Sequence, residues 1–325
     1  AVATIIENRS DGKYSSIFDL VKKVDLRAAN KKTLENLALA GGFDSFKGTH
    51  RAQYFNTDGD GVIFLEKIIR FGARYQENLK SAQTSLFGES SDEVYQELVL
   101  PLTTEWQNLE QLKREKEVVG IYLSGHPLDD FKKETLFFTN IQLDQLKDLK
   151  HLVNKKFNIA GIINEVEFFE TRNGKQWGKF ILEDFSEQFE FRIFGEEFLK
   201  FRHFLNINQF IRLKINIQEG WRNQETGRIG DPRIQFLSFE MLHDVINNNS
   251  KKITLQFDIR KLEAERIFKL KKELNKFKGD KPIFFDIIDS EKSLKLTLNS
   301  MKQKVVISSE LLNHLEDNEW LYKLN

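Results

Sequence analysis

The 325-residue sequence has no cysteine, so disulfides and thiolate metal sites are excluded and the composition fits a reducing compartment. With 49 basic and 49 acidic residues it has no net charge, so any contact with a polyanion must rest on local patches. No apolar run is long enough to span a bilayer, and the opening AVATIIENRS lacks the charged, apolar and small-residue regions of a secretory leader. A cytoplasmic protein without a membrane partner is expected. The same opening reads as helix with neither an initiator methionine nor a cap, which suggests a fragment of a longer protein. Proline is scarce, at 4 residues, so few rigid linkers are available.

Phenylalanine is abundant instead, with 29 residues, and points to Phe-filled cores. Residues 1–80 read as a series of helical hairpins. Ser15 or Ser16 caps a helix carrying Ile17, Phe18, Leu20, Val21 and Val24, and Asn30 precedes KKTLENLALA, stopped by Gly41-Gly42. A longer amphipathic helix follows, with Ile63, Leu65, Ile68, Ile69 and Phe71. Residues 81–104 lose the helical period and form the expected linker, and a helical connector over 105–150 follows, its helix from Glu105 to Leu123 stopped by Ser124-Gly125.

From about residue 155 the pattern changes to strands. FNIAGIINEVEFF, WGKFILED, QFEFRIF, FIRLKINIQ and RIQFLSFEML follow one another, with GEEFLKFRHFL as a short helix between the third and fourth. Five strands with one helix at that place are the order of an OB-fold, a small Greek-key barrel, here expected over 151–245. After a polar hinge, NNNSKK, residues 251–325 read as a small α+β domain: ITLQFDI, a helix over RKLEAERIFKLKKELNKF, the strands PIFFDII, SLKLTL and KQKVVIS, and a last helix SSELLNHLEDN. The expected class is therefore multidomain: helical module, five-stranded barrel, α+β tail.

Three stretches point to one family. EKEVVGIYLSGHPLDDF resembles the segment preceding the OB domain in the alpha subunit of bacterial replicative DNA polymerase III. KKTLENLALAGGFDSFKGTHRAQYF resembles the end of that family's helix-hairpin-helix region, and IAGIINEVEFFETRNGKQWGKFILEDFSEQFEFRIF resembles its OB domain. The resemblance covers essentially the whole chain in matching order. It implies that the metal-binding palm, the fingers and the phosphoesterase-like domain lie upstream of Ala1. No catalytic residue, metal site or cofactor is then expected here, and the divalent metal, magnesium, belongs to the parent polymerase, a DNA-directed nucleotidyltransferase.

The resemblance also gives the linker a role. Gln83, Ser85, Leu86 and Phe87 in QTSLF resemble the peptide by which such proteins dock on a sliding clamp, the beta subunit. Leu86 and Phe87 would each supply roughly 1.5–3 kcal/mol on full burial, while Gln83 fixes register. The competing reading is a staple on the preceding helix.

OB-folds hold single strands with basic groups for phosphates and aromatics for stacking. The first loop region offers Arg172, Lys175, Trp177 and Lys179, the third strand Arg192, and the later loop Trp221, Arg222 and Arg228. Alternation turns Phe180, Leu182, Phe189, Phe191 and Ile193 inward and Trp177, Lys179 and Arg192 outward. Glu183, Asp184, Glu187 and Glu190 nearly cancel the basic charge, which predicts weak binding to single-stranded template. Arg27, Lys31 and Lys32 stand in a helical turn without the glycine that duplex-holding hairpins use, leaving ordinary phosphate contacts with primer-template DNA, or none.

NTDGDGVIFLEK looks like a calcium loop, but Lys67 occupies the place of the bidentate glutamate, so a polar turn between helices is expected. His126 reads as structural, since the six histidines show no ligand spacing. By resemblance the tail meets the tau subunit of the clamp loader. The alternative to this whole assignment is a free-standing OB module of the anticodon-binding or recombination-accessory kind, which predicts strong nucleic-acid binding independent of a clamp.

Overall fold

A computed structural model describes residues 1–9, 12–57, 59–84, 97–222, 228–289 and 291–325; for 81–84 and 261 it describes the backbone alone. The chain forms two compact units, Ala1–Pro127 and Leu128–Asn325.

The first unit is helical. It contains α1 (Val2–Glu7), α2 (Ile17–Lys23), α3 (Lys31–Leu39), α4 (Arg51–Tyr54), α5 (Phe64–Thr84) and α6 (Asn108–Val119). Ser16 caps α2 by accepting from the Asp19 N–H, and Asn30 caps α3 by accepting from the Thr33 N–H. Ile17, Leu20, Val21, Leu34, Leu65 and Ile68 meet in one core. The NTDGDG stretch closes as a turn: Thr57 bridges to Ile63, the Phe64 N–H donates to the Asn56 carbonyl at 2.8 Å, and the Asn56 amide is taken by the Thr103 hydroxyl. Asp58 lies outside the described residues.

Two boundaries differ from expectation. Helix α5 continues to Thr84, four residues into the segment read as linker, so Gln83 falls in its last turn. The Gln83 side chain and all of Ser85, Leu86 and Phe87 lie outside what is described. Helix α6 stops at Gly120 rather than at Ser124-Gly125. Gly120 has φ 87° and donates to the Lys116 carbonyl, a left-handed cap that only glycine adopts without strain. The loop beyond is pulled back by Glu115. Its carboxylate is fully buried and accepts from the Leu123 N–H at 2.7 Å, the Ser124 N–H at 2.9 Å, the Ser124 hydroxyl at 2.7 Å and Arg51 at 3.2 Å. Arg51, itself buried, also donates to Asp44 at 2.6 Å and to the Leu39 carbonyl at 3.0 Å.

The second unit begins with α7 (Lys132–Phe138) and a five-stranded antiparallel sheet: β1 (Lys156–Glu170), β2 (Gln176–Glu183), β3 (Gln188–Phe194), β4 (Phe210–Gln218) and β5 (Arg233–Met241). The order is β3-β2-β1-β4-β5, with α8 (Gly195–Phe201) between β3 and β4. The expected barrel is not closed by hydrogen bonds: among the described residues β3 and β5 remain edges. Side chains fill the gap, with the Phe191 and Phe236 rings 5.8 Å apart. Phe180, Leu182, Phe191 and Ile193 are buried in this core and Phe189 packs against it, the inward set that alternation predicts.

Beyond it lie α9 (Leu242–Asn249), β6 (Ile253–Asp258), α10 (Ala264–Leu274), β7 (Lys278–Asp289), β8 (Leu294–Val305), α11 (Ser309–Asp317) and β9 (Leu321–Leu324). The four-stranded sheet runs β8-β7-β6-β9, with β6 and β7 parallel around the α10 crossover. SLKLTL and KQKVVIS are one strand, because shifts in the β7–β8 register absorb the irregularity between them. LYKL adds a strand beside β6 that is too short for its periodicity to show. The three asparagines of the expected hinge are the last turn of α9, where Asn249 donates to Glu240 and to the Val245 carbonyl. Leu242, Val245 and Ile246 join Ile253, Leu255 and Leu312 in a second core, which also takes in Ala160 of β1.

Candidate nucleic-acid interface

Strand β1 carries the key irregularity. Ile163 pairs with Leu182 while Glu165 pairs with Ile181, so Asn164 is an extra residue and the alternation reverses beyond it. Val166 and Phe168 then face inward, and Glu165, Glu167 and Phe169 face out. Directly across the strands Phe169 pairs with Trp177, and Trp177 with Phe194. Their rings form a column over the outer face: Phe169 and Trp177 are stacked at 4.4 Å and 19°, Trp177 and Phe194 at 5.2 Å and 20°. Phe194 is 56% exposed and Phe169 36%. Three aromatic rings stacked at a solvent-facing surface are a platform for flat, apolar ligands.

The charges beside the column are engaged. Lys179 reaches Glu167 at 2.9 Å and lies 3.9 Å from Glu190. The hydrogen bond to Glu167 holds the ammonium's pKa above its ordinary value. Arg192 pairs with Glu190 of its own strand at 2.8 Å. Charge cancellation thus holds on this face, but Glu167 and Glu190 do it. Asp184 instead anchors a turn, accepting from the Leu143, Ser186 and Glu187 N–H groups and the Ser186 hydroxyl. Glu183 is buried beside Asn164 and Gln188.

The expected residues fall into three groups. Trp177, Lys179 and Arg192 share the outer face of β2 and β3. Arg172 and Lys175 are exposed at the tip of the β1–β2 turn, where the Thr171 hydroxyl accepts from the Lys175 N–H. Trp221, Arg222 and Arg228 stand in the β4–β5 loop, whose base is closed by an Arg222–Ile229 bridge and by the Gly230 N–H donating to the Trp221 carbonyl at 3.0 Å. Trp221 is 75% exposed, with the Arg233 guanidinium 4.3 Å over its ring. A groove of about 570 Å³ between the β3 and β5 edges is lined by Arg192, Phe194, Pro232 and Arg233, and runs from Arg192 of the first group to Arg233, which lies over Trp221 of the third. Phe169, Phe194 and Arg233 escaped the sequence reading. Phe194 was findable as the second residue after outward-facing Arg192, whereas Phe169 was hidden by the bulge.

Elsewhere, Lys31 of the helical unit is paired with Glu66 at 2.6 Å. His126 packs edge-on against Tyr122 at 5.2 Å. Among the described residues no cluster of three or more His, Asp or Glu could hold a metal ion, and no helix is long and apolar enough to cross a membrane.

Known proteins align with both ends of the chain and with nearly all of its length. Residues 1–54 match the family model described as the helix-hairpin-helix motif, and residues 253–325 match that of the C-terminal domain of the DNA polymerase III alpha subunit. The DNA polymerase III subunit alpha of Borreliella burgdorferi is 29% identical over 98% of this chain and 26% of its own length. That of Buchnera aphidicola is 26% identical over 97% of the chain and 26% of itself. The Campylobacter jejuni protein is 31% identical over 60% of the chain and 15% of itself. The chain thus spans about a quarter of the length of the relatives it matches end to end. Nearly the whole chain is thus similar to DNA polymerase III alpha subunits, and its residues 253–325 match the C-terminal domain of that subunit.

Proposed function

We propose that this chain tethers a replicative DNA polymerase to its template and to its partners. In this reading the five-stranded sheet is an OB-fold opened between β3 and β5, since its strand order is that of an OB barrel unrolled at that seam. Its outer face holds single-stranded template. Gln83, Ser85, Leu86 and Phe87 dock on the sliding clamp, the helical unit lies on the primer-template side, and the tail meets the tau subunit of the clamp loader. The parent is a DNA-directed DNA polymerase, and phosphoryl transfer with its divalent metal belongs to other parts of it. Weak contacts joined on one chain raise effective concentration, so no single one has to be tight.

The observation that carries this reading is the Phe169–Trp177–Phe194 column with Lys179 and Arg192 beside it. Stacking tolerates any base, as a template-binding surface requires, and the neutralised lysine and arginine keep the affinity modest. Fluorescence anisotropy with a labelled single-stranded oligonucleotide tests it. Trp177→Ala removes the middle ring that holds Phe169 and Phe194 in the column and is expected to weaken binding by about fivefold or more, the low end of the about 1–3 kcal/mol that a stacked base contributes. Binding that is indifferent to Trp177 would sink the reading.

A further inference from the structure

The ring column cannot take a base between its members. At 4.4 and 5.2 Å the inner ring faces cover one another, so a base can stack only at the two ends. The Phe194 end opens on the β3–β5 groove, where Arg192 is paired with Glu190 and Arg233 lies over Trp221. The Phe169 end is different. Strand β1 outruns β4, whose pairing stops at Ile162–Phe210, so among the described residues the far half of β1 has no strand partner on that side. Along that edge runs a second groove of about 490 Å³, lined by Phe168, Phe169, Phe198, Arg202 and His203, with Glu170 and Gln176 at the strand ends.

We infer that this groove is a nucleotide subsite, taking a base against Phe169 and Phe168 and the adjoining phosphate on Arg202 and His203. The inference rests on the single-strand reading and extends the path of the strand past β1 toward α8. The groove is built for the task. Phe168 stands opposite Gly178 and packs edge-on against Phe198 at 5.5 Å. A Cβ at Gly178 would lie 2.9 Å from the Phe198 ring and 3.3 Å from that of Phe168, so the glycine is what lets the two rings close the floor. One 3-10 turn, Arg202–Phe204, sets the Arg202 and His203 side chains next to each other, and the His203 ring lies tilted against Phe204 at 4.3 Å. Arg202 is exposed and pairs with no carboxylate among the described residues, unlike Lys179 and Arg192 on the platform. An apolar groove beside a guanidinium that pairs with no carboxylate among the described residues fits an aromatic group carrying an anion, which is the chemistry of a nucleotide. Glu170 opposes the phosphate and restricts it to the Arg202 side.

The test is anisotropy of the whole chain with a fluorescent oligothymidylate of about 15 nucleotides, long enough for both ends of the column, across a series of salt concentrations. The double variant Arg202→Ala, His203→Ala changes only exposed side chains and keeps the fold, which its circular dichroism checks. It is expected to bind about five- to tenfold more weakly at low salt, with the log–log salt slope reduced by about one through the loss of the Arg202 charge. If it keeps the affinity and slope of the parent while Trp177→Ala weakens binding, the subsite is wrong and the platform stands. If the unaltered chain does not bind the oligonucleotide, both fail together.

Discussion

Replacing Glu115 by alanine probes the contact that fixes the GIYLSGHPL loop. The carboxylate is fully buried and faces Arg51, which is only 4% exposed, so its removal strands a buried guanidinium. Breaking such a pair costs about 3–5 kcal/mol. Two features push the value toward the lower end. Arg51 keeps Asp44 at 2.6 Å and the Leu39 carbonyl at 3.0 Å, and Leu123 and Ser124 are exposed, so water recovers their amides. The expected loss is about 3 kcal/mol, or roughly 10 °C in the melting of the helical unit. Hydrogen exchange gives a local readout, since the Leu123 and Ser124 amides should lose their protection. The effect also depends on pH. Burial pushes the Glu115 carboxyl upward, but the Ser124 N–H and hydroxyl, the Leu123 N–H and Arg51 outweigh that and hold it below the ordinary value. A depressed folded pKa contributes stability above the unfolded carboxylate's pKa and loses it as pH falls through the folded one. Glu115→Ala and the unaltered chain should therefore converge in acid. A change below about 0.5 kcal/mol at neutral pH, the size of an ordinary surface substitution, would refute the reasoning.

Other substitutions report on separate parts of the chain. Gly178→Ala should cost about 1–3 kcal/mol through overpacking against Phe198 and Phe168, read by urea denaturation, and should weaken oligonucleotide binding as well. Burial raises the pKa of Glu134, whose Oε2 has no hydrogen-bond partner, so its folded form favours the proton. Its stabilising share is present in acid and fades as pH rises through the folded pKa, so Glu134→Gln should match the parent near pH 4 and exceed its melting temperature at about pH 8. The double substitution Leu86→Ala, Phe87→Ala should abolish sliding-clamp binding in calorimetry without changing the circular dichroism; retained affinity would contradict the clamp assignment.

The element order was legible because it rests on short-range signals. Ser16 and Asn30 announce their helices, and the five strand patterns from FNIAGIINEVEFF to RIQFLSFEML fall where β1 to β5 are found. What stayed hidden depends on tertiary context. Gly120 and Gly125 are equally good helix stops in sequence, and only the buried Glu115, drawing in the next loop, makes the first one effective. The NNN run reads as a hinge by composition, yet Asn249 is held helical by Glu240 of β5. At the interface, Trp177, Lys179 and Arg192 followed from alternation alone. Phe169 did not, because one inserted residue, Asn164, turns the end of β1 over. The acid that neutralises Lys179, Glu167, was concealed by the same bulge.

Photocrosslinking tests the central claim most directly. A single-stranded oligonucleotide carrying 5-iododeoxyuridine, irradiated in complex with the whole chain and mapped by mass spectrometry, reports which rings touch bases. Adducts at Phe169 or Phe194 are the expected result, since the two ends of that column are the proposed stacking faces. Adducts confined to other residues, with Trp177→Ala leaving the yield unchanged, would contradict the account.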